Sequence, residues 1–147
     1  MTTKRGDRTW ALLFAAWLVA AVATAGSLFF SHVMGFAPCV LCWYQRIFLF
    51  PLVVILAVGL FAGDRGVDRG VVRYALPLVV IGWLVAGYHN LVYAGFVPES
   101  LAPCTQGISC TEEHIAIFGV FSIPLLSLLA FTALAGLLLA VHRRTRP

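Results

Sequence analysis

Apolar residues in this chain gather into four long stretches, separated by short segments that carry most of the polar and charged positions. A helix needs about 20 predominantly apolar residues to cross a bilayer core. The stretches at about 10–30, 43–62, 71–93 and 115–141 reach that length. The first has no charge, and the second has one, Arg46, at its start. The fourth is long enough to tilt or to extend past the hydrocarbon. Pro51, Pro77 and Pro124 fall inside these spans, which a bundle tolerates because neighbouring helices re-satisfy the freed backbone groups. The pattern predicts an all-α fold, an integral membrane four-helix bundle with residues 1–147 as one domain. It contains no internal repeat and no low-complexity tract.

Composition agrees with the pattern. Hydrophobic residues make up 61% of the chain and charged residues 11%, against about 25% charged in a soluble domain. The net charge of +4 forms no basic stripe interleaved with aromatics, so nucleic acid is not the expected partner. Nine of the ten basic residues lie in three clusters: Lys4, Arg5 and Arg8; Arg65, Arg69 and Arg73; and Arg143, Arg144 and Arg146. Four spans put all three clusters on one side, which the positive-inside rule assigns to the cytoplasm. Both termini are then cytoplasmic, and outward loops are expected at about 31–42 and 94–114. An alternative makes the N-terminus a cleavable signal peptide ending at Ala23-Thr24-Ala25. Its apolar run exceeds the usual 7–15 residues and continues through Phe30, so a retained span is expected.

The outward loops hold all four cysteines, on the side where thiols tend to oxidise. Cys39 and Cys42 form a C-x-x-C, and Cys104 and Cys110 have five residues between them, Gly107 included. One reading is two structural disulfides. Another is a four-thiolate zinc site, disfavoured because the second spacing is wide and no histidine falls at a standard ligand spacing. The third is redox chemistry, favoured by three features. Cys42 lies at the expected N-terminus of the second span, where the helix end favours a thiolate. Cys39, Cys42 and Arg46 stand at i, i+3 and i+7, roughly one helix face. Arg46 is an ionisable residue just inside the hydrocarbon, a costly position that marks function; the alternative is snorkelling to the outer headgroups. A dithiol at this depth suits a lipid-soluble quinone whose carbonyl Arg46 could polarise.

PCVLCWYQR after the first span and PCTQGISCT before the fourth, on a four-span plan, resemble the bacterial disulfide bond formation protein B family. The short second cysteine loop is most similar to its BdbC-type branch. The resemblance covers nearly all of residues 10–141. It implies a membrane thiol–quinone oxidoreductase of the bacterial inner membrane, multi-pass, with its cysteine loops facing the periplasm or exterior and a single copy sufficient. A secreted thioredoxin-like oxidase of the DsbA kind would be the partner, attacking a Cys104–Cys110 disulfide at Cys104. Cys110 would pass the electrons to Cys39 and free Cys42 toward the quinone, ubiquinone or menaquinone, beside Arg46. Some members have a longer segment between the second pair, and some have a glutamine where this chain has Ser31. A vitamin K epoxide reductase-type enzyme is the first rival, but its C-x-x-C sits by the last span. The second rival is a non-enzymatic membrane protein with structural disulfides.

Other residues carry weaker signals. His89, in Tyr88-His89-Asn90, is expected to contact the quinone or a proton path, with an interfacial place in an aromatic belt as the alternative. His32 is expected at the interface, His114 at the start of the fourth span, and His142 in the solvated basic tail. Trp43 and Tyr44 either wall the quinone pocket or anchor at the interface. Glu99, Glu112 and Glu113 are expected to be solvated.

Overall fold

The computed structural model describes residues 3–61, 69–98, 101 and 122–145. They form four long helices and no strand among the described residues: α1 (Thr3–Leu28), α2 (Val40–Phe61), α3 (Arg69–Tyr93) and α4 (Ile123–Thr145). Each is long and apolar enough to cross a membrane. Packing closes them into a ring in which α1 meets α2 and α4, and α3 meets α2 and α4. The core runs down the ring axis through Leu13, Ala16 and Ala20 of α1, Leu52 and Leu56 of α2, Val72 and Val79 of α3, and Phe131, Leu134 and Leu138 of α4. Large exposed apolar side chains such as Val22, Val54, Phe61 and Leu84 face outward, as expected of surfaces that meet lipid.

Small residues allow the close approaches. A Cβ on Gly59 would overlap Val71, and one on Gly82 would overlap the Phe131 ring. Asn90 Nδ2 donates to Pro124 O at 2.8 Å, and Trp83 Nε1 donates to Thr132 Oγ1 at 3.0 Å. Both bonds join α3 to α4.

Helix ends depart from the hydropathy expectation in informative ways. The helix containing the fourth apolar run starts at Ile123, eight residues after the run itself. Pro124 therefore sits in the first turn, where its missing N–H costs nothing, and is not an interior proline. Ser122 O accepts the first bond, from Leu126 N at 3.1 Å. Helix α2 starts at Val40 rather than 43, so Cys42 is inside its first turn. After Leu28 the first span continues as one π-helical turn, Phe29–Val33. Gly35, at φ 75°, turns the chain toward α2. At the end of α3, Phe96 N reaches Leu91 O and Gly95 N reaches Val92 O, both at 3.0 Å, with Gly95 at φ 77°. This is the Schellman arrangement, which places its residue of positive φ just past the helix end. Cys104, Cys110, Glu99, Glu112, Glu113 and His114 lie outside the described residues.

Candidate functional site: a dithiol beside an apolar cavity

Cys39 is the N-cap of α2. Its carbonyl accepts the first intrahelical bond, from Trp43 N at 3.1 Å. Its Sγ is 3.2 Å from Cys42 Sγ, and the two thiols are buried and not joined in a disulfide. Helix α3 brings in His89, fully buried, with Nε2 3.8 Å from Cys39 Sγ and Nδ1 3.1 Å from Gln45 Nε2. With the amide NH₂ donating to Nδ1, the ring proton sits on Nε2 and faces sulfur. The sequence placed His89 near the site, and it is buried there against Cys39 and Gln45. Gln45 gave no signal of its own, although it lies six residues after Cys39.

These contacts push the Cys39 thiol down to about 4. The hydrogen bond from Cys42 is the largest cause. Burial opposes it, and the bonds from His89 and from the Cys42 backbone N–H add to it. The helix N-terminus acts on Cys39, its cap residue, through the Cys42 backbone N–H.

Arg46 is buried, 8% exposed. Its Nε donates to Ser27 Oγ at 2.7 Å and its Nη2 to Ser27 O at 2.8 Å. The guanidinium also lies 5.3 Å from the Trp43 ring centroid, within cation–π range. Arg46 does not snorkel. It is turned inward and clamped to α1, with two of its five N–H donors on Ser27. Ser27 carries no motif, so the sequence reading missed it. A π turn begins two residues later, at Phe29. Ser31 Oγ donates to Leu28 O and to Ser27 O, the carbonyl that also accepts from Arg46, both at 3.2 Å, and it does not line the cavity below.

Between α1, α2 and α4 lies a cavity of about 550 Å³, within the range of small-molecule pockets. Its polar end presents Cys42, Gln45, Arg46, Ser27 and Ser127, and its far end is lined by Leu18, Val19 and Val22. Trp43 and Tyr44 do not line it; both are about half exposed on the outer surface of α2, the anchoring option. His32 is exposed as well. The structure thus brings together Cys39, Cys42, His89 and Arg46 of the expected site residues and adds Gln45 and Ser27.

The family model for "Disulfide bond formation protein DsbB" matches residues 7–141. A "Probable disulfide formation protein" from Metapseudomonas resinovorans is 48% identical, with all of both chains covered. "Disulfide bond formation protein C" of Bacillus subtilis is 43% identical over 81% of this chain and 83% of its own. A "Probable disulfide formation protein" of Coxiella burnetii is 44% identical over 80% of this chain and 78% of its own. No solved structure matches. The chain belongs to the DsbB family of disulfide bond formation proteins.

Proposed function

We propose that this chain is a membrane thiol–quinone oxidoreductase that reoxidises a secreted thioredoxin-fold oxidase. One observation carries the reading: Cys42 and Arg46 open onto the same apolar cavity. The fit to a quinone rests on that cavity, with an apolar far end suited to an isoprenoid tail and a polar end suited to a headgroup. A bound quinone would accept two electrons and two protons. Arg46, held by Ser27, would fix a headgroup oxygen, and Cys42 would be the sulfur that faces it.

The relay runs in balanced exchanges. A thiolate of the reduced partner attacks Cys104 of the Cys104–Cys110 disulfide and releases Cys110 as thiolate. The partner's second thiolate resolves the mixed disulfide, so the partner leaves oxidised and Cys104 leaves as thiolate. Cys110 attacks Cys39 of the Cys39–Cys42 disulfide and releases Cys42. Cys104 then displaces Cys39 and reforms Cys104–Cys110. A leaving thiol departs faster when its pKa is low, so the depressed Cys39 thiol suits that last displacement. The resulting Cys39/Cys42 pair gives up two electrons as its disulfide reforms, together with the proton on Cys42, and the second proton that a quinol needs would come from water. His89, held by Gln45, keeps its Nε2–H toward Cys39 Sγ, where it would steady the thiolate. We place the cysteine loops on the outer face of the bacterial cell membrane, with the basic clusters inside.

Purified protein, a reduced thioredoxin-fold oxidase and a quinone, followed by quinone absorbance, test this directly. Turnover is expected from the wild type and is expected to vanish in Cys39→Ser and Cys104→Ser. No turnover by the wild type would sink the function, and turnover surviving either substitution would sink the relay.

A further inference from the structure

The sulfurs of Cys39 and Cys42 and a ring nitrogen of His89 all lie within 4.8 Å of one another. A tetrahedral Zn²⁺, with Zn–S about 2.3 Å and Zn–N about 2.0–2.1 Å, holds two sulfurs about 3.8 Å apart and a sulfur and nitrogen about 3.6 Å apart. Cys39 and Cys42 Sγ stand at 3.2 Å and Cys39 Sγ and His89 Nε2 at 3.8 Å. Rotamer adjustments that part the two sulfurs by about 0.6 Å and draw the His89 nitrogen, now within 4.8 Å of Cys42 Sγ, toward it turn this cluster into a ligand set. The sequence could not show it, because the third ligand arrives on another helix, 47 residues after Cys42.

We propose that the reduced Cys39/Cys42 pair and His89 bind one thiophilic divalent cation of the Zn²⁺ class, and that the bound ion locks the pair in its dithiol state. Two thiolates and one Zn²⁺ sum to zero charge, which suits a buried site better than bare thiolates do. Binding releases the remaining thiol protons. Cys42 lines the cavity, which leaves the fourth position open to water from that side. Gln45 supplies the outer support that ligating histidines require. Its amide donates to Nδ1 now and, flipped, accepts from Nδ1–H when Nε2 is on the metal. In the oxidised state both sulfurs are tied up in a disulfide and the ligand set is lost. The site is therefore selective for redox state, and occupancy would stop the pair from being oxidised. The inference stands apart from the relay, because metal binding is read with neither quinone nor protein partner present.

The test is titration of detergent-solubilised full-length protein with Co²⁺, whose sulfur-to-metal charge-transfer and tetrahedral d–d bands report thiolate ligation. A Cys104→Ser/Cys110→Ser variant leaves only the relevant thiols. The expected result is one Co²⁺ per reduced chain, displaced by Zn²⁺, and no such bands from the oxidised chain. His89→Ala should weaken binding at least tenfold, and Gln45→Ala about tenfold. Absence of the bands, equal binding by oxidised protein, or affinity unchanged in His89→Ala would overturn the proposal. If the double variant fails to fold, reduced wild type is compared with Cys39→Ser. Loss of one equivalent of Co²⁺ supports the site, and unchanged stoichiometry overturns it.

Discussion

At the scale of single residues, the site depends on two polar contacts made where the chain is otherwise oil. Cys39 as N-cap holds a thiol pushed down to about 4 from 9.0. Between those values the unfolded chain keeps a proton that the folded, reduced chain has lost, so stability rises with pH across that window. The contribution is complete above about 9 and is lost as pH falls through about 4. Reduced protein should therefore show thiolate ultraviolet absorbance down to pH 5, absent from the oxidised form. A single transition near 9 would refute the Cys39 environment. Arg46 is the second contact. Arg46→Lys keeps the charge but loses the planar fork on Ser27, so the KM for quinone should rise about tenfold, roughly 1.4 kcal/mol. Ser27→Ala keeps the carbonyl acceptor and should produce a smaller rise. Equal KM values for Arg46→Lys and wild type would remove the fork from the account.

At the scale of elements, the four helices were legible because length and hydropathy alone decide whether a segment can cross a bilayer. Cys39, Cys42 and Arg46 were legible through their spacing on a single helix. What stayed hidden depends on a second helix or on backbone geometry. Hydropathy is blind to Pro124 as a first-turn residue, since the apolar composition runs on both sides of it. Ser27 carries no motif, and its pairing with Arg46 is a contact between α1 and α2, so it could not be seen in advance. Nor could Gln45 be paired with His89, whose contact requires the packing of α2 on α3. Gly82 is another such case, a mid-helix glycine whose reason is the Phe131 ring on α4. Phe131 also lines the cavity. Gly82→Ala should cost about 1–3 kcal/mol by overpacking, lowering the thermal midpoint in detergent and raising the KM for quinone together. A lowered midpoint with unchanged KM would mean that the ring moves without disturbing the cavity.

At the scale of the whole molecule, the proposed relay needs one end of the bundle to meet water and the cavity to meet lipid. Helix α2, at 22 residues and about 1.5 Å each, is about 33 Å long, enough to span the hydrocarbon from the cysteines to the basic middle segment. An even number of crossings brings the start of α1 and the end of α4 to the same face, with the three basic clusters. The opposite face carries the N-cap of α2, the Gly95 turn and the cavity's polar end. The positive-inside bias is strong because nine of ten basic residues agree with it, and the one exception, Arg46, is neutralised as a topology signal by its burial against Ser27 and Trp43. The orientation is tested on intact cells with a membrane-impermeant maleimide. Phe96, 80% exposed beyond α3, becomes the outer probe as Phe96→Cys, and Thr145→Cys at the end of α4 becomes the inner one, both in a Cys104→Ser/Cys110→Ser background. Cys39 and Cys42 are buried and should add little signal. Labelling of Phe96→Cys without permeabilisation, and of Thr145→Cys only after it, is the expected pattern. The reverse pattern would put the dithiol on the reducing side of the membrane, where an outward-facing oxidase could not reach it.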